Sequence, residues 1–293
     1  MAELRDWLEL VRAKAALSVL GDTVAGAVWA GRAPGARTVA LPLASALLYS
    51  AGMALNDYAD AELDAVERPE RPIPSRRIRR GAALGLAAGL TGAGIAVAVL
   101  VDGRRSLLLS VPLAASIWSY DLLAKPTPLG PVVMAACRGL DVLLGAGASG
   151  VRAAAPASAA VAAHTLGVTV LSRGEVHGTR PAIAGAAATG TAALALALGV
   201  GAVRAKGGPA IGAVVGVAIA RWIALVLVPQ LRAVRTPDAA SARTATRSGI
   251  AGMVPLQAAL AGQRRPELGA ALLGLDALGA VVLRRPRVSA DIT

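Results

Sequence analysis

The acidic residues of this chain are unevenly spread, and one short segment has a spacing that suits metal and phosphate chemistry. Of the 18 acidic residues, six fall between positions 57 and 70. Asp57, Asp60 and Asp64 are three and four residues apart, so on a helix they would lie on one face. Mg²⁺ prefers oxygen ligands and usually shares its carboxylates with the phosphates of a substrate. The spacing therefore predicts a Mg²⁺ site formed by these three carboxylates.

Basic residues follow the acidic segment directly, in the sequence ERPERPIPSRR. Arginine can bind those phosphate oxygens that a metal ion leaves uncovered, and Arg71 is placed to do so. The alternative is a solvated loop of mixed charge that only enforces membrane topology. The 3/4 spacing, the preceding Asn56 and the following RPIPS favour the chemical interpretation.

The elements that must position these residues are membrane helices. The chain has 293 residues, 55% hydrophobic and 16% charged, with a mean hydropathy of +0.60, which leaves too little charge for a solvated surface. We expect an all-α polytopic bundle of nine or ten transmembrane helices in a single domain, residues 1–293, because the stretch at 248–262 is short. The apolar stretches are 15–31, 38–56, 81–101, 106–123, 130–149, 154–171, 181–203, 209–231, 248–262 and 266–284.

Charge and composition orient the bundle and exclude some partners. Loops on the N-terminal side hold about twice as many Lys and Arg as the opposite loops, which predicts a multi-pass protein of the cell membrane with a cytoplasmic N-terminus. The N-terminal segment carries charges of both signs and no small-residue cleavage site, so we expect no cleaved signal peptide. A net charge of +12 could suggest nucleic acid, but 2% aromatic residues and no Phe argue against it. The lone Cys137 excludes a disulfide scaffold.

The ordered motif around Asn56 resembles the UbiA superfamily of intramembrane prenyltransferases. Their first motif is N-D-x-x-D-x-x-x-D at the end of helix 2, followed by R-P-[IL]-P-S, and this chain reads NDYADAELD and then RPIPS. The family often has Gly after that Ser, where this chain has Arg76. The resemblance implies nine helices around a central cavity whose cytoplasmic mouth is capped by two acid-rich motifs. It also implies an isoprenyl diphosphate donor, Mg²⁺ and a small acceptor.

Further segments extend the resemblance to roughly residues 10–285. LVRAK is similar to the family's L-x-R-P entry to helix 1, and WSYDLLAKPTPLG looks like its Y-S-x-x-L-K segment. AACRGL carries the Arg and Gly that many relatives have. By this resemblance Lys125 is a catalytic residue that stabilises the leaving diphosphate, beside the carboxylates. The substrate-binding residues that it implies in this part of the chain are Arg12, Asn56, Arg71, Tyr120 and Arg138.

The second motif departs from the family pattern D-x-x-D-x-x-x-D. The aligned stretch reads SRGEVHGTRP, so Ser172 and Thr179 replace two acids and Glu175 alone remains as a catalytic and metal-binding candidate. Our hypothesis is that the neighbouring cations replace one metal ion by binding diphosphate directly. These cations are Arg173, His177 and Arg180. The alternative is that catalysis has been lost and the loop is a basic anchor.

Ionisable residues inside predicted spans are costly and usually face a cavity or each other. Asp22, Arg138, Asp141 and Arg221 are such residues. Arg138 and Asp141 are three apart, so we expect them to pair on one helix face. We expect His164 to be a packed or interhelical histidine, since no second His or Cys stands at ligand spacing.

These observations predict a Mg²⁺-dependent membrane prenyltransferase that acts through an allylic carbocation. The few aromatic residues weakly favour a hydroxylated acceptor and ether formation. The alternatives are a transporter, or a UbiA-like protein that binds or delivers a lipid without prenyl transfer. A CDP-alcohol phosphotransferase is disfavoured, because its usual D-G-x-x-A-R pattern is missing.

Overall fold

A computed structural model describes residues 3–204 and 208–284, and the regular secondary structure of this part of the chain is helical, with no strand. Short 3₁₀ segments lie at Ala13–Ser18, Arg104–Ser106 and Ala148–Gly150, and a π-helical turn at Tyr120–Ala124. The α-helices are α1 Leu4–Leu10, α2 Leu20–Trp29, α3 Ala36–Ala59, α4 Ala61–Glu67, α5 Arg80–Asp102, α6 Leu107–Ser119, α7 Gly130–Ala146, α8 Val151–Ser172, α9 Pro181–Arg204, α10 Gly208–Leu225, α11 Leu227–Arg235, α12 Ala239–Ala251, α13 Met253–Gly262 and α14 Pro266–Arg284.

Six helical segments of the described chain are long and apolar enough to cross a bilayer. Each coincides within a few residues with a predicted apolar stretch, except that the fourth begins six residues earlier. They are Val39–Ala59, Arg80–Asp102, Arg104–Ala124, Ala148–Ser172, Pro181–Arg204 and Gly208–Arg235. The prediction of an all-α multi-pass membrane protein is confirmed, while the count of nine or ten crossings stays a prediction.

Two predicted continuous stretches are interrupted. The stretch 15–31 is divided at Val19 into a 3₁₀ segment and α2, and the stretch 248–262 is divided at Gly252 between α12 and α13. A Cβ atom at Gly252 would lie 2.2 Å from a methyl carbon of Val226, so this junction is packed directly against the α10–α11 junction. The predicted apolar stretches do not reveal such breaks, because apolar residues stand on both sides of each break.

Close backbone contact between α2 and α7 builds the centre of the bundle. A Cβ atom at Gly26 would lie 1.8 Å from the carbonyl oxygen of Val142, and one at Gly145 would lie 1.9 Å from that of Thr23. Small residues are what allow two membrane helices to approach so closely. The abundance of Gly is therefore structural at this contact.

A buried polar network ties α2 to α7 and α13 and corrects one expectation. Arg138 does not pair with Asp141; its Nη2 lies 2.9 Å from Asp22 Oδ2 and donates to the carbonyl of Ser18 at 2.9 Å. Gln257 donates to the other oxygen of Asp22 at 2.6 Å, and Ser45 donates to Asp141 at 2.5 Å. Spacing along one helix identified a possible partner for Arg138, but a carboxylate on the adjoining helix takes that place.

Candidate active site

A cavity of about 490 Å³ lies between α3, α6, α7, α8 and α12. One end is polar and is lined by Asn56, Asp60, Lys125 and Glu175 among others, whereas the middle is apolar, with residues such as Leu48 and Ile117. A cavity of this size with a charged end and an apolar body suits an amphiphilic ligand whose headgroup is charged.

The first acidic motif lies across a helix junction. α3 ends at Ala59 and α4 begins at Ala61, so Asp60 stands at a bend between the two helices. Asp60 lines the cavity, while the buried carboxylates of Asp57 and Asp64 are directed at arginines and are not among the lining residues. The expectation that all three share one helix face is corrected by this bend, which turns Asp60 toward a different partner.

Arg71 bridges the two buried carboxylates. Its Nη1 lies 2.6 Å from Asp64 Oδ2 and 3.3 Å from Asp57 Oδ1. Arg68 approaches the other oxygen of Asp64 at 3.8 Å. Both arginines also line the cavity, so the loop after α4 supplies positive charge to the polar end.

Arg12 brings a second guanidinium to Asp57 from the N-terminal segment. Its Nη2 lies 3.1 Å from Asp57 Oδ1 and 3.5 Å from Asn56 Oδ1. The backbone of Arg12 is left-handed, with φ +47° and ψ +48°. Residues other than Gly, Asn and Asp rarely adopt this conformation. This turn directs the side chain from the end of α1 into the cavity, where the sequence predicted a substrate-binding role.

The π-helical turn after α6 presents three cavity-lining side chains, Tyr120, Asp121 and Lys125. Lys125 Nζ forms a very short ion pair with Asp60 Oδ2. Asn56 donates to Asp121 Oδ1 at 3.3 Å, and Asp121 is only 8% exposed. Predicted residues from two distant parts of the chain are thus brought together.

Asp121 is the residue that sequence reasoning missed. It stands where the family's Y-S-x-x-L-K pattern has Ser, so the signal was present as a carboxylate in place of a hydroxyl. It was overlooked because Asp121 is too far from the other acids along the chain for its spacing to indicate a shared site. Only the fold shows that Asp121 faces the same cavity as Asp60.

The loop between α8 and α9 contributes fewer groups to the cavity. Ser172 and Glu175 line it, whereas Arg173, His177 and Arg180 are exposed and are not among the lining residues. Arg173 instead donates to the carbonyl of Thr127. The direct binding of diphosphate by these three cations stays a prediction.

Metal binding at this site is best judged from its donors. Within residues 3–204 and 208–284, no three His, Cys, Asp or Glu side chains converge into a ready metal cage. Asp60, Asp121 and Glu175 nevertheless line one cavity, and their hard oxygen donors fit Mg²⁺, which commonly binds one or two carboxylates together with phosphate oxygens and water. The donor set therefore fits an ion that arrives with a phosphorylated substrate.

Comparison with known proteins decides the family. The sequence model of the UbiA prenyltransferase family matches residues 19–250, which is most of the chain. This chain belongs to that family. The family match includes the first acidic motif, the π-helical turn and the loop with Glu175, and thus every element of the site except Arg12.

Individual relatives within the family share part of this chain. It is 36% identical over 145 residues to digeranylgeranylglyceryl phosphate synthase of Methanopyrus kandleri, which is 49% of this chain and 53% of that protein. The enzyme of the same name from Thermococcus kodakarensis is 34% identical over 155 residues, covering 50% of this chain and 54% of that protein. The chain thus spans about half the length of the relatives that it matches.

Solved structures support the fold over nearly the whole chain. A UbiA homologue from Aeropyrum pernix K1 superposes with a TM-score of 0.66 at 20% identity, covering 89% of this chain and 98% of that one. A structure from work on digeranylgeranylglyceryl phosphate synthase gives a TM-score of 0.64 at 17% identity, covering 88% and 97%. The prediction of a UbiA-type helical fold is confirmed.

Proposed function

We propose that this protein is a prenyltransferase that transfers a prenyl group from an isoprenyl diphosphate to the hydroxyl of a prenylated glyceryl phosphate. The observation that carries the proposal is the convergence of Arg12, Arg71 and Lys125 with Asp60 and Asp121 at one end of a cavity whose middle is apolar. Polar residues of the buried network also line this cavity, namely Arg138, Asp141 and Ser45. The names of the relatives support this acceptor class, and the scarcity of aromatic side chains agrees with a non-aromatic acceptor.

The cations at the polar end would bind and stabilise the diphosphate. As the bond between C1 and the diphosphate oxygen breaks, negative charge accumulates on the leaving group, and Arg12, Arg71 and Lys125 are placed around the position it would take. Mg²⁺ would be held by Asp60, Asp121 and Glu175, and it supplies further charge compensation. The predicted role of Asp57 and Asp64 as metal ligands would require Arg71 to release them.

The apolar body of the cavity would protect the allylic cation from water. Side chains such as Leu48, Leu113 and Ile117 form its wall. Water at this point would convert the cation to a free alcohol, so its exclusion directs the cation to the acceptor. The acceptor oxygen forms the new bond to C1, and its proton passes to the released diphosphate as the ether is completed.

The topology belongs to the same proposal. We place the N-terminus and the polar end of the cavity in the cytoplasm, in a single domain with nine or ten crossings. Labelling tests this: with Cys137 replaced by Ala, Glu62→Cys should react with an impermeant maleimide only in inverted vesicles. Arg104→Cys should react only in right-side-out vesicles, and the reverse pattern would contradict the orientation.

A transfer assay with purified protein tests the activity. We expect labelled geranylgeranyl diphosphate and geranylgeranylglyceryl phosphate to yield an ether product with Mg²⁺ and none with EDTA. Asp60→Asn should lower turnover about 100-fold, the scale of losing a charge-stabilising group. Glu62→Gln is the matched control, because Glu62 lies two residues away, is 90% exposed and contacts Arg80 at 3.3 Å.

One observation favours a second function, namely the loss of two acids at Ser172 and Thr179. A protein that only binds or delivers a prenyl lipid would not need them. In that case the diphosphate should raise the melting temperature in a Mg²⁺-dependent manner while no acceptor yields product. Such a result would replace the transferase proposal.

A further inference from the structure

We propose that Arg77 is a positioning residue that fastens the N-terminal helix to the loop after α4 and thereby holds Arg12 against Asp57. The inference rests on the proposed function, because it concerns how the diphosphate-binding arginines are held. Arg77 is not among the residues that line the cavity, so any effect it has on the site must pass through other residues.

The side chain of Arg77 contacts both segments through the three nitrogen atoms of its guanidinium group. Toward α1, Nη1 lies 2.5 Å from Asp6 Oδ1 and 2.9 Å from Glu9 Oε2, and Nη2 lies 3.2 Å from Glu9 Oε1. Toward its own loop, Nη2 donates to the carbonyl of Glu70 at 2.7 Å and Nε to Ser75 Oγ at 3.0 Å. Arg77 therefore cross-links two segments that are about 70 residues apart in sequence.

Helix α1 needs such an anchor. It has seven residues, fewer than an isolated helix requires to be stable in water. Leu10 is fully buried and Trp7 packs in the same cluster, whereas Leu4 and Leu8 are 75% and 49% exposed. Packing thus fixes one side of α1, and the ion pairs with Arg77 fix another.

The two segments joined by Arg77 carry the two arginines that contact Asp57. Arg12 follows α1 by two residues, and Arg71 precedes Arg77 in the loop. Their guanidinium groups meet on the same oxygen of Asp57, at 3.1 Å and 3.3 Å. Because Arg12 holds a left-handed backbone, freeing α1 would let Arg12 relax away from Asp57.

A double-mutant cycle separates this role from direct binding. We expect Arg77→Ala to raise KM for geranylgeranyl diphosphate about tenfold and to change kcat less than threefold. The pair Asp6→Asn with Glu9→Gln should raise KM equally, and combining all three changes should add nothing. Arg77→Lys should restore part of the loss. Arg80→Ala is the matched control and should stay within twofold, since Arg80 contacts Glu62 and Tyr58 but not α1.

A second measurement does not depend on turnover. Hydrogen–deuterium exchange of residues 4–12 should speed up in Arg77→Ala and in the Asp6/Glu9 double variant, and stay unchanged in Arg80→Ala. If Arg77→Ala raises KM but the Asp6/Glu9 variant does not, Arg77 binds the donor itself and the inference is wrong. Unchanged exchange in residues 4–12 would also overturn it. Absence of transfer by the unaltered protein would refute the proposed function but leave this exchange test valid.

Discussion

The two segments that correspond to the family's acidic motifs are held in place by different forces. In the first, Asp57, Asp60 and Asp64 are each paired with an arginine or lysine from elsewhere in the chain. In the second, which contains Glu175, the loop is held mainly through main-chain groups. The amide of Thr179 donates to the carbonyl of Pro237 at 2.9 Å, and Arg243 donates to the carbonyl of Glu175 at 2.6 Å.

This difference indicates that the two segments have different roles at the site. Charge pairing in the first segment keeps three carboxylates and four cations together at the cavity before any ligand arrives. In the second segment, hydrogen bonds to main-chain carbonyls hold the loop, and Arg243 contacts the carbonyl of Glu175 and not its carboxylate. With Ser172 and Thr179 at two of the family's acidic positions, we expect the shape of the second loop to be independent of metal binding.

The largest effect expected from this comparison follows from removing Arg71. Arg71→Ala leaves Asp57 and Asp64 buried with weaker compensation, because in the described part of the chain Arg12 and Arg68 are the cations that still pair with them. Removing one partner of a buried ion pair is strongly destabilising, and we expect a loss of about 2–3 kcal/mol together with an at least ~100-fold fall in turnover. Thermal unfolding and the transfer assay measure the two effects.

The matched change in the second loop is Arg180→Ala. Arg180 is exposed, so its removal should leave the melting temperature unchanged. Equal destabilisation by both variants would show that the two loops are held by charge alike and would end the distinction.

A smaller effect is expected at the remaining acid of the second segment. Glu175→Gln keeps the size of the side chain and the main-chain contact with Arg243, so the loop should keep its structure. Turnover should fall about tenfold, compared with ~100-fold for Asp60→Asn, since Glu175 lines the cavity but forms no ion pair with any cation of residues 3–204 and 208–284. Titration of activity with Mg²⁺ should show a higher requirement in Glu175→Gln. A loss as large as that of Asp60→Asn would make the two segments equal in catalysis.

Sequence reasoning succeeded for features that are encoded within a short stretch of the chain. The apolar stretches predicted the six long spans, and two separate motifs, one with Asn56 and Asp60 and one with Lys125, predicted groups that do meet at the cavity. These features follow from the length of apolar runs and from short motifs, both of which are local properties of the chain.

The failures have a common physical origin in contacts between distant helices. Arg138 was assigned to Asp141 because they share a helix, yet Asp22 on α2 provides the partner. Asp121 was missed because a π-helical turn directs it inward. The breaks at Val19 and Gly252 depend on packing against neighbouring helices, which a single sequence does not specify.

The two loops also differ in how they accommodate a left-handed residue. Arg76 has φ +60° in the first loop, at the position where the family often has Gly, and Gly178 has φ +88° in the second. Arg76 is exposed, so Arg76→Gly should relieve backbone strain and stabilise the protein by up to about 1 kcal/mol. Gly178→Ala should destabilise by about 1–2 kcal/mol, because its Cβ would also lie 2.6 Å from the carbonyl oxygen of Pro237.

Chemical denaturation of the two variants measures both changes in the free energy of unfolding, which we expect to have opposite signs. A neutral or destabilising Arg76→Gly would mean that the arginine side chain contributes more than the strain costs. The first loop would then be held by charge even at its turn.

The smallest expected effect is the pH dependence of hydrogen exchange. It distinguishes a segment held by ion pairs from one held by main-chain hydrogen bonds. A hydrogen bond from the main-chain N–H of Glu3 and the guanidinium of Arg77 lower the pKa of Asp6, and the hydrogen bond from Arg77 lowers the pKa of Glu9. For a carboxylate whose pKa is lower in the folded state, the stabilisation is complete above its ordinary pKa near 4 and is lost as the pH falls through the lowered value.

Hydrogen exchange of residues 4–12, corrected for the intrinsic rate, should therefore be constant from pH 7 to 5 and accelerate below about pH 4. Residues 172–180, which depend on main-chain contacts, should show no such step, and Arg77→Ala should remove most of it from residues 4–12. An equal acid-induced step in residues 4–12 and 172–180 would show that residues 4–12 respond to global unfolding and not to their own ion pairs.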